Sequence, residues 1–175
     1  MSLNAVTLPN VRSLSMVEES RLLGDALRAL RQERDGLTAL RTLDLYERRF
    51  PDGKLHREAE LARVDALLLV GRRVEALGLL DARSLDALPR SIELRVTRGE
   101  LRLETGRASD AKNDFDVALV SAHGDLADRA LYGRAGARGK MGDFADARAD
   151  LEEYLRRFPA GRHAAEARAA IERGK

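Results

Sequence analysis

The chain has 175 residues, no cysteine, 4% aromatic residues, and 31 Lys and Arg against 29 Asp and Glu, a net charge of only +2. That length supports one domain or one short array with a continuous core. The lack of cysteine excludes disulfides, thiol nucleophiles and cysteine-ligated zinc, and balanced charge with few aromatics argues against a nucleic-acid partner.

Residues 1–14 mix Thr7, Pro9, Asn10 and Ser13 without helical period and read as a flexible arm or linker. Ser15-x-x-Glu18 reads as a capping box, opening a helix with Leu22, Leu23, Leu27 and Leu30 on one stripe. A second helix is expected from Gly36 to Arg49. A third spans residues 54–70 with Leu61, Val64, Leu67 and Leu68, and its shorter partner spans 73–81. Residues 84–88 suggest a loose turn before Pro89. Residues 91–105 are ambiguous: Ile92, Leu94 and Val96 alternate with polar residues as in a β-hairpin, but the repeat phase described next favours helix. A sixth helix follows over 110–120. Ser121 to Gly124 form a loop, and Asp125 caps the seventh helix, which Gly142 ends. Asp143 then caps a helix whose stripe is Phe144, Ala147, Leu151, Tyr154 and Phe158, stopped by Pro159. Residues 163–173 read as a terminal amphipathic helix.

The stretch from Ala39 to Gly53 matches that from Ala147 to Gly161, with Ala, Leu, Tyr, Arg, Phe, Pro and Gly in register 108 residues apart, or three steps of 36. Gly71, Gly106 and Gly142 mark the intervening steps. Ala76 and Leu80, and Ala111, Phe115 and Ala118, supply the matching stripes. Small residues recur in the first helices (Ala135, Gly99, Val64) and alanines in the second (Ala147, Ala111, Ala76, Ala39). On these residues the chain resembles the tetratricopeptide repeat family over roughly 16–173. The Tyr-x3-Phe-Pro-x-Gly ending looks most like units of bacterial envelope proteins, such as the tol-pal coordinator and outer-membrane assembly lipoproteins. Three positions depart from the family pattern: Leu131 replaces an aromatic residue, His123 stands at an expected proline, and Arg34-Asp35 replaces the first turn glycine.

The resemblance implies an all-α, right-handed superhelix of about four antiparallel helical hairpins with a C-terminal capping helix. The arm is 1–14, the repeat domain 15–175, and the units about 16–53, 54–90, 91–124 and 125–161, with the cap at 162–173. It further implies a concave groove lined by first helices, carrying Glu58, Leu61, Asp65, Leu68, Glu93, Val96, Glu100 and Leu103 in the middle. Arg21, Arg28 and Arg31 lie at one end, and Arg129, Tyr132, Gly136 and Lys140 at the other. The expected function is protein or peptide binding without catalysis, to a partner with apolar and basic residues. The other reading of the groove carboxylates is pairing with arginines such as Arg63, Arg95 and Arg102. Self-association, or service as an assembly or sensing domain of a membrane- or lipid-anchored regulator, stays open, as does the choice between periplasm and cytoplasm.

No catalytic, cofactor or metal site is read. Gly133, Gly136 and Gly139 lie on one helix face but lack the strand and the Lys-Ser/Thr of a phosphate loop. His56, His123 and His163 lack a second histidine one turn away, and Glu18-Glu19 and Glu152-Glu153 read as solvated charges. The longest wholly apolar run, Ala66 to Val70, is far below the ~20 residues that cross a bilayer, and the start shows no basic stretch followed by an apolar one.

Overall fold

Alanine, leucine and arginine all favour helix, and few β-branched residues oppose it. The computed structural model of the protein describes residues 11–86 and 88–173, with side chains from residue 15, and among these residues it is all-α. The helices are α1 (Val11–Arg28), α2 (Gly36–Arg49), α3 (His56–Leu69), α4 (Arg73–Asp81), α5 (Ser91–Glu104), α6 (Ala108–Leu119), α7 (Gly124–Met141), α8 (Phe144–Arg157) and α9 (Ala164–Arg173). A π-helical turn, Ala29–Glu33, extends α1. Contacts group the chain into two compact units, one ending at Leu79 and one beginning at Leu80; the division falls inside α4.

In the first unit α1 packs on α2, α2 on α3, and both α1 and the π turn on α3. Leu22, Ala26, Leu43, Tyr46, Ala62 and Leu67 are among the residues that form its core. In the second unit each helix from α5 to α9 packs on the next, and α5 also packs on α7. The ring of Phe115 on α6 lies between α5 and α7. A Cβ on Gly99 would stand 2.8 Å from it, and one on Gly133 2.5 Å, so a glycine is needed on each side.

Two polar devices repeat. Asp114, buried on α6, accepts Nε and Nη2 of Arg98 at 2.9 and 2.6 Å and Nη1 of Arg102 at 2.8 Å. Thirty-six residues on, Asp150 accepts Nε and Nη2 of Arg134 at 3.0 and 2.7 Å and pairs with Nη1 of Arg138 at 2.8 Å. Such forks suit arginine, and once buried they are costly to break on one side. The second device closes the end of α2 and of α8. The Tyr46 hydroxyl donates to Glu19 at 2.6 Å, and the same carboxylate oxygen accepts the Leu55 amide at 2.6 Å. At the far end of the chain the Tyr154 hydroxyl donates to Asp128 at 3.0 Å and accepts the His163 amide at 2.9 Å.

Several expectations are corrected. α1 is already helical from Val11, so residues 11–14 are not arm, and Ser15 lies within the helix rather than capping it; residues 1–10 lie outside the described residues. His123, extended at φ −131° and ψ 162°, holds the cap position of α7, and Asp125 sits in its first turn. Asp143 holds the cap position of α8 without a capping side-chain bond. Phe144 is 73% exposed, so the buried stripe of α8 starts at Ala147. Residues 91–104, by contrast, are helix as the repeat phase favoured. α5 is covered by both α6 and α7, which requires a broad apolar face and produces the alternation that resembles a strand.

Candidate functional site

One concavity of the first unit forms where the π turn meets the second half of α3. The turns after α3, α5 and α7 close on glycines in the left-handed region, Gly71, Gly106 and Gly142 at φ 78°, 81° and 88°. After α7 the Asp143 amide bonds the Arg138 carbonyl, and after α5 the Arg107 amide bonds the Arg102 carbonyl, each spanning five residues. After α1 the Asp35 amide reaches back six residues to Ala29, because the π turn holds one extra residue. Arg34 takes the glycine's place at φ 56°. Beside it is a cleft of about 600 Å³ lined by Leu30, Arg31, Arg34, Asp65, Leu68 and Leu69.

Three residues expected in a groove, Arg31, Asp65 and Leu68, thus meet in one cleft. Glu58 is exposed in the first turn of α3, and Leu61 is half-buried. Arg21 and Arg28 both pair with Asp25 on their own helix, at 3.1 and 3.0 Å. A second cleft of this unit, about 460 Å³, includes Glu47, His56 and Glu60. His56 Nδ1 lies 3.4 Å from Glu47 and Nε2 3.7 Å from Glu60, so the ring sits between two carboxylates, with Nδ1 buried and without a hydrogen-bond partner.

In the second unit α5 and α7 bring together Glu93, Glu100, Leu103, Arg129, Tyr132, Gly136 and Lys140. Val96 is 0% exposed, inside the cluster around Phe115, so it cannot touch a partner; this corrects its assignment to a groove surface. Glu100 is gripped by Arg129 through two bonds of 2.9 and 2.7 Å, which raises the Arg129 pKa. Glu93 accepts two bonds from Arg90, which hold its carboxyl below the usual range. Leu103 packs against the core cluster, and its carbonyl accepts Lys140 Nζ at 2.9 Å. A Cβ on Gly136 would lie 3.4 Å from Leu103, an ordinary contact. Tyr132 stacks on His163 with ring centroids 4.0 Å apart and 7° between planes. Its burial pushes the phenol pKa up, with Glu166 adding to the shift.

The carboxylates of this face are therefore answered from within the unit, by Arg129 and Arg90 rather than by Arg63, Arg95 or Arg102. Those three arginines serve other acids: Asp44, Asp86 and Asp81 respectively, with Asp114 shared by Arg95 and Arg102. The sequence did carry a signal for the Arg–Asp clasps, since Arg98/Asp114 and Arg134/Asp150 recur at the repeat step. Among the described residues no group of three or more His, Asp or Glu is placed to hold a metal ion, and no helix is long and apolar enough to cross a membrane. The chain matches no family model, no curated protein and no solved structure.

Proposed function

We propose that the chain is a non-enzymatic scaffold of tetratricopeptide type, its hairpins stacked in a right-handed superhelix, that binds a segment of another protein along its first helices. The observation that carries this reading is the recurrence of one Arg–Asp clasp on successive hairpins at a 36-residue step, with left-handed glycines at steps of 35 and 36. A chain built from one repeated supersecondary unit buries its core between neighbours and leaves a continuous face for ligands. In keeping with that, the first-helix side of the first unit holds a cleft with an aliphatic floor. The half-exposed Leu61, Leu68 and Leu103 offer anchors for apolar side chains.

The test is selection from an unbiased displayed-peptide library against the intact chain, with the selected peptide mapped by hydrogen exchange. The expected result is an enriched sequence that protects amides of α3, α5 or α7. A selection that enriches nothing, or protection confined to α2, α6 and α8, would reject the scaffold reading.

A further inference from the structure

Arg34 is an L-residue with a long cationic side chain in the left-handed region, at the one turn where glycine is replaced. That backbone region is disfavoured for side chains other than Asn or Asp, which bond locally there. The turns after α3, α5 and α7 use glycine instead, Gly71, Gly106 and Gly142; among the described residues the other non-glycine residue at positive φ is Arg90, at 60° just ahead of α5. The preceding π turn is a second departure, and such turns concentrate at functional sites. Both departures fall on the cleft lined by Leu30, Arg31, Arg34, Asp65, Leu68 and Leu69.

The cleft also gathers two open cations side by side, whereas Arg48 and Arg57, exposed and likewise in no ion pair among the described residues, lie outside it. Arg21, Arg28, Arg63 and Arg72 of this unit are all in ion pairs with Asp25, Asp44 or Glu75. Arg31 and Arg34 are exposed and, among the described residues, enter no ion pair. The cleft's one carboxylate, Asp65, is already engaged in an interaction of its own. Leu30, buried, and Leu68 and Leu69, half-buried, give the cleft an apolar side.

We propose that this cleft binds an acidic peptide segment, an aliphatic side chain resting on Leu68 and Leu69 and flanking Asp or Glu carboxylates taken by the Arg31 and Arg34 forks. The inference rests on the scaffold reading and reverses the basic ligand expected from sequence. The reversal follows because Glu93 and Glu100 are already neutralised by Arg90 and Arg129, whereas the cleft cations remain open. Guanidinium forks match carboxylates in two-point geometry and are only weakly hydrated, so they suit a partly apolar cleft.

The experiment is fluorescence anisotropy of the whole chain with an end-blocked, labelled peptide of alternating Glu and Leu, set against its Lys-for-Glu counterpart. The Glu peptide should saturate, more weakly at high salt, and the Lys peptide should not. Arg34→Gly should weaken Glu-peptide binding about tenfold, the loss of one charge-assisted contact, while the thermal midpoint rises. A merely structural residue would not separate these two readouts. Arg31→Gln should weaken binding similarly, and Arg21→Gln, outside the cleft, should leave it unchanged. Preference for the Lys peptide, no binding of the Glu peptide, or affinity indifferent to Arg31 and Arg34 would overturn the proposal. If the library selection still yields a peptide on other first-helix faces, only the acidic cleft falls; if it yields none, the scaffold reading falls with it.

Discussion

Tyr46 and Tyr154 are among the largest fully buried side chains of the protein, and each ends on a buried carboxylate. A buried phenol must keep its proton, because ionising it would place a second anion beside the first. Burial pushes the Tyr46 pKa well above the ordinary tyrosine value, and the Glu19 hydrogen bond pushes it further. Tyr154 shifts the same way from burial and from Asp128, although the His163 amide opposes it. The folded state therefore holds these protons at pH values where the unfolded chain has lost them. The contribution is complete below about pH 10 and is lost as pH rises beyond it. Urea midpoints should fall above about pH 10, and Tyr46→Phe should shrink that fall while costing about 1–3 kcal/mol at neutral pH by depriving Glu19 of a donor. A midpoint equally base-sensitive in Tyr46→Phe and Tyr154→Phe would show that other groups set the alkaline limit. The tyrosines were legible in the sequence as a repeat 108 residues apart, but their carboxylates were not. Glu19 and Asp128 stand 109 apart and differ in type, so alignment by identity passes over them.

At the scale of elements, the close crossing of α5, α6 and α7 depends on the absence of two methyl groups. Gly133→Ala would drive a Cβ into Phe115, and the ring cannot retreat because Gly99 bounds its other side. The expected cost is ~1–3 kcal/mol. Phe115→Leu, destabilising alone, should make Gly133→Ala less harmful, giving a coupling in a double-mutant cycle. Additive effects in thermal melts would place the ring elsewhere. The helices themselves were readable because punctuation and period agreed: glycine at φ near 80° ends α3, α5 and α7, and Pro51 and Pro159 follow α2 and α8. Caps were less readable. Ser15 had the right spacing but lies inside a helix that begins upstream, and Asp143 holds the cap position without the bond. Val96 was misplaced for another reason. Repeat phase gives the side of α5 on which a residue lies, but not that α7 packs over that side. The missing glycine at Arg34 was visible, whereas the π turn that accommodates it depends on backbone bonding that no side-chain pattern reports.

Over the whole molecule acids and bases are near equal in number. Many of the described ones form local pairs whose carboxylates set the acid limit of stability, whereas the buried tyrosines set the alkaline one. Burial raises the Asp81 pKa, but hydrogen bonds from Arg107 and Arg102 outweigh it and hold the carboxyl below its usual range. Asp116 is also raised by burial, and Lys112 and Arg134 reverse the shift. Glu93 is lowered chiefly by Arg90. For each, the folded pKa lies below the unfolded value of about 4. The stabilisation is complete above that value and disappears as pH falls through the lower folded values, where protonation frees the arginines to repel one another. The urea midpoint should therefore stay level from about pH 8 to about pH 5 and drop steeply below about pH 4. Asp81→Asn and Asp116→Asn should each lower the midpoint at neutral pH and make the acid decline shallower, since the variant has no proton left to gain. Added salt should blunt the decline at exposed pairs such as Arg72–Glu75 more than at the Asp81 and Asp116 clasps. A midpoint unchanged between about pH 7 and about pH 3, or Asn variants with the acid limb of the parent, would mean that these ion pairs do not hold the hairpins together.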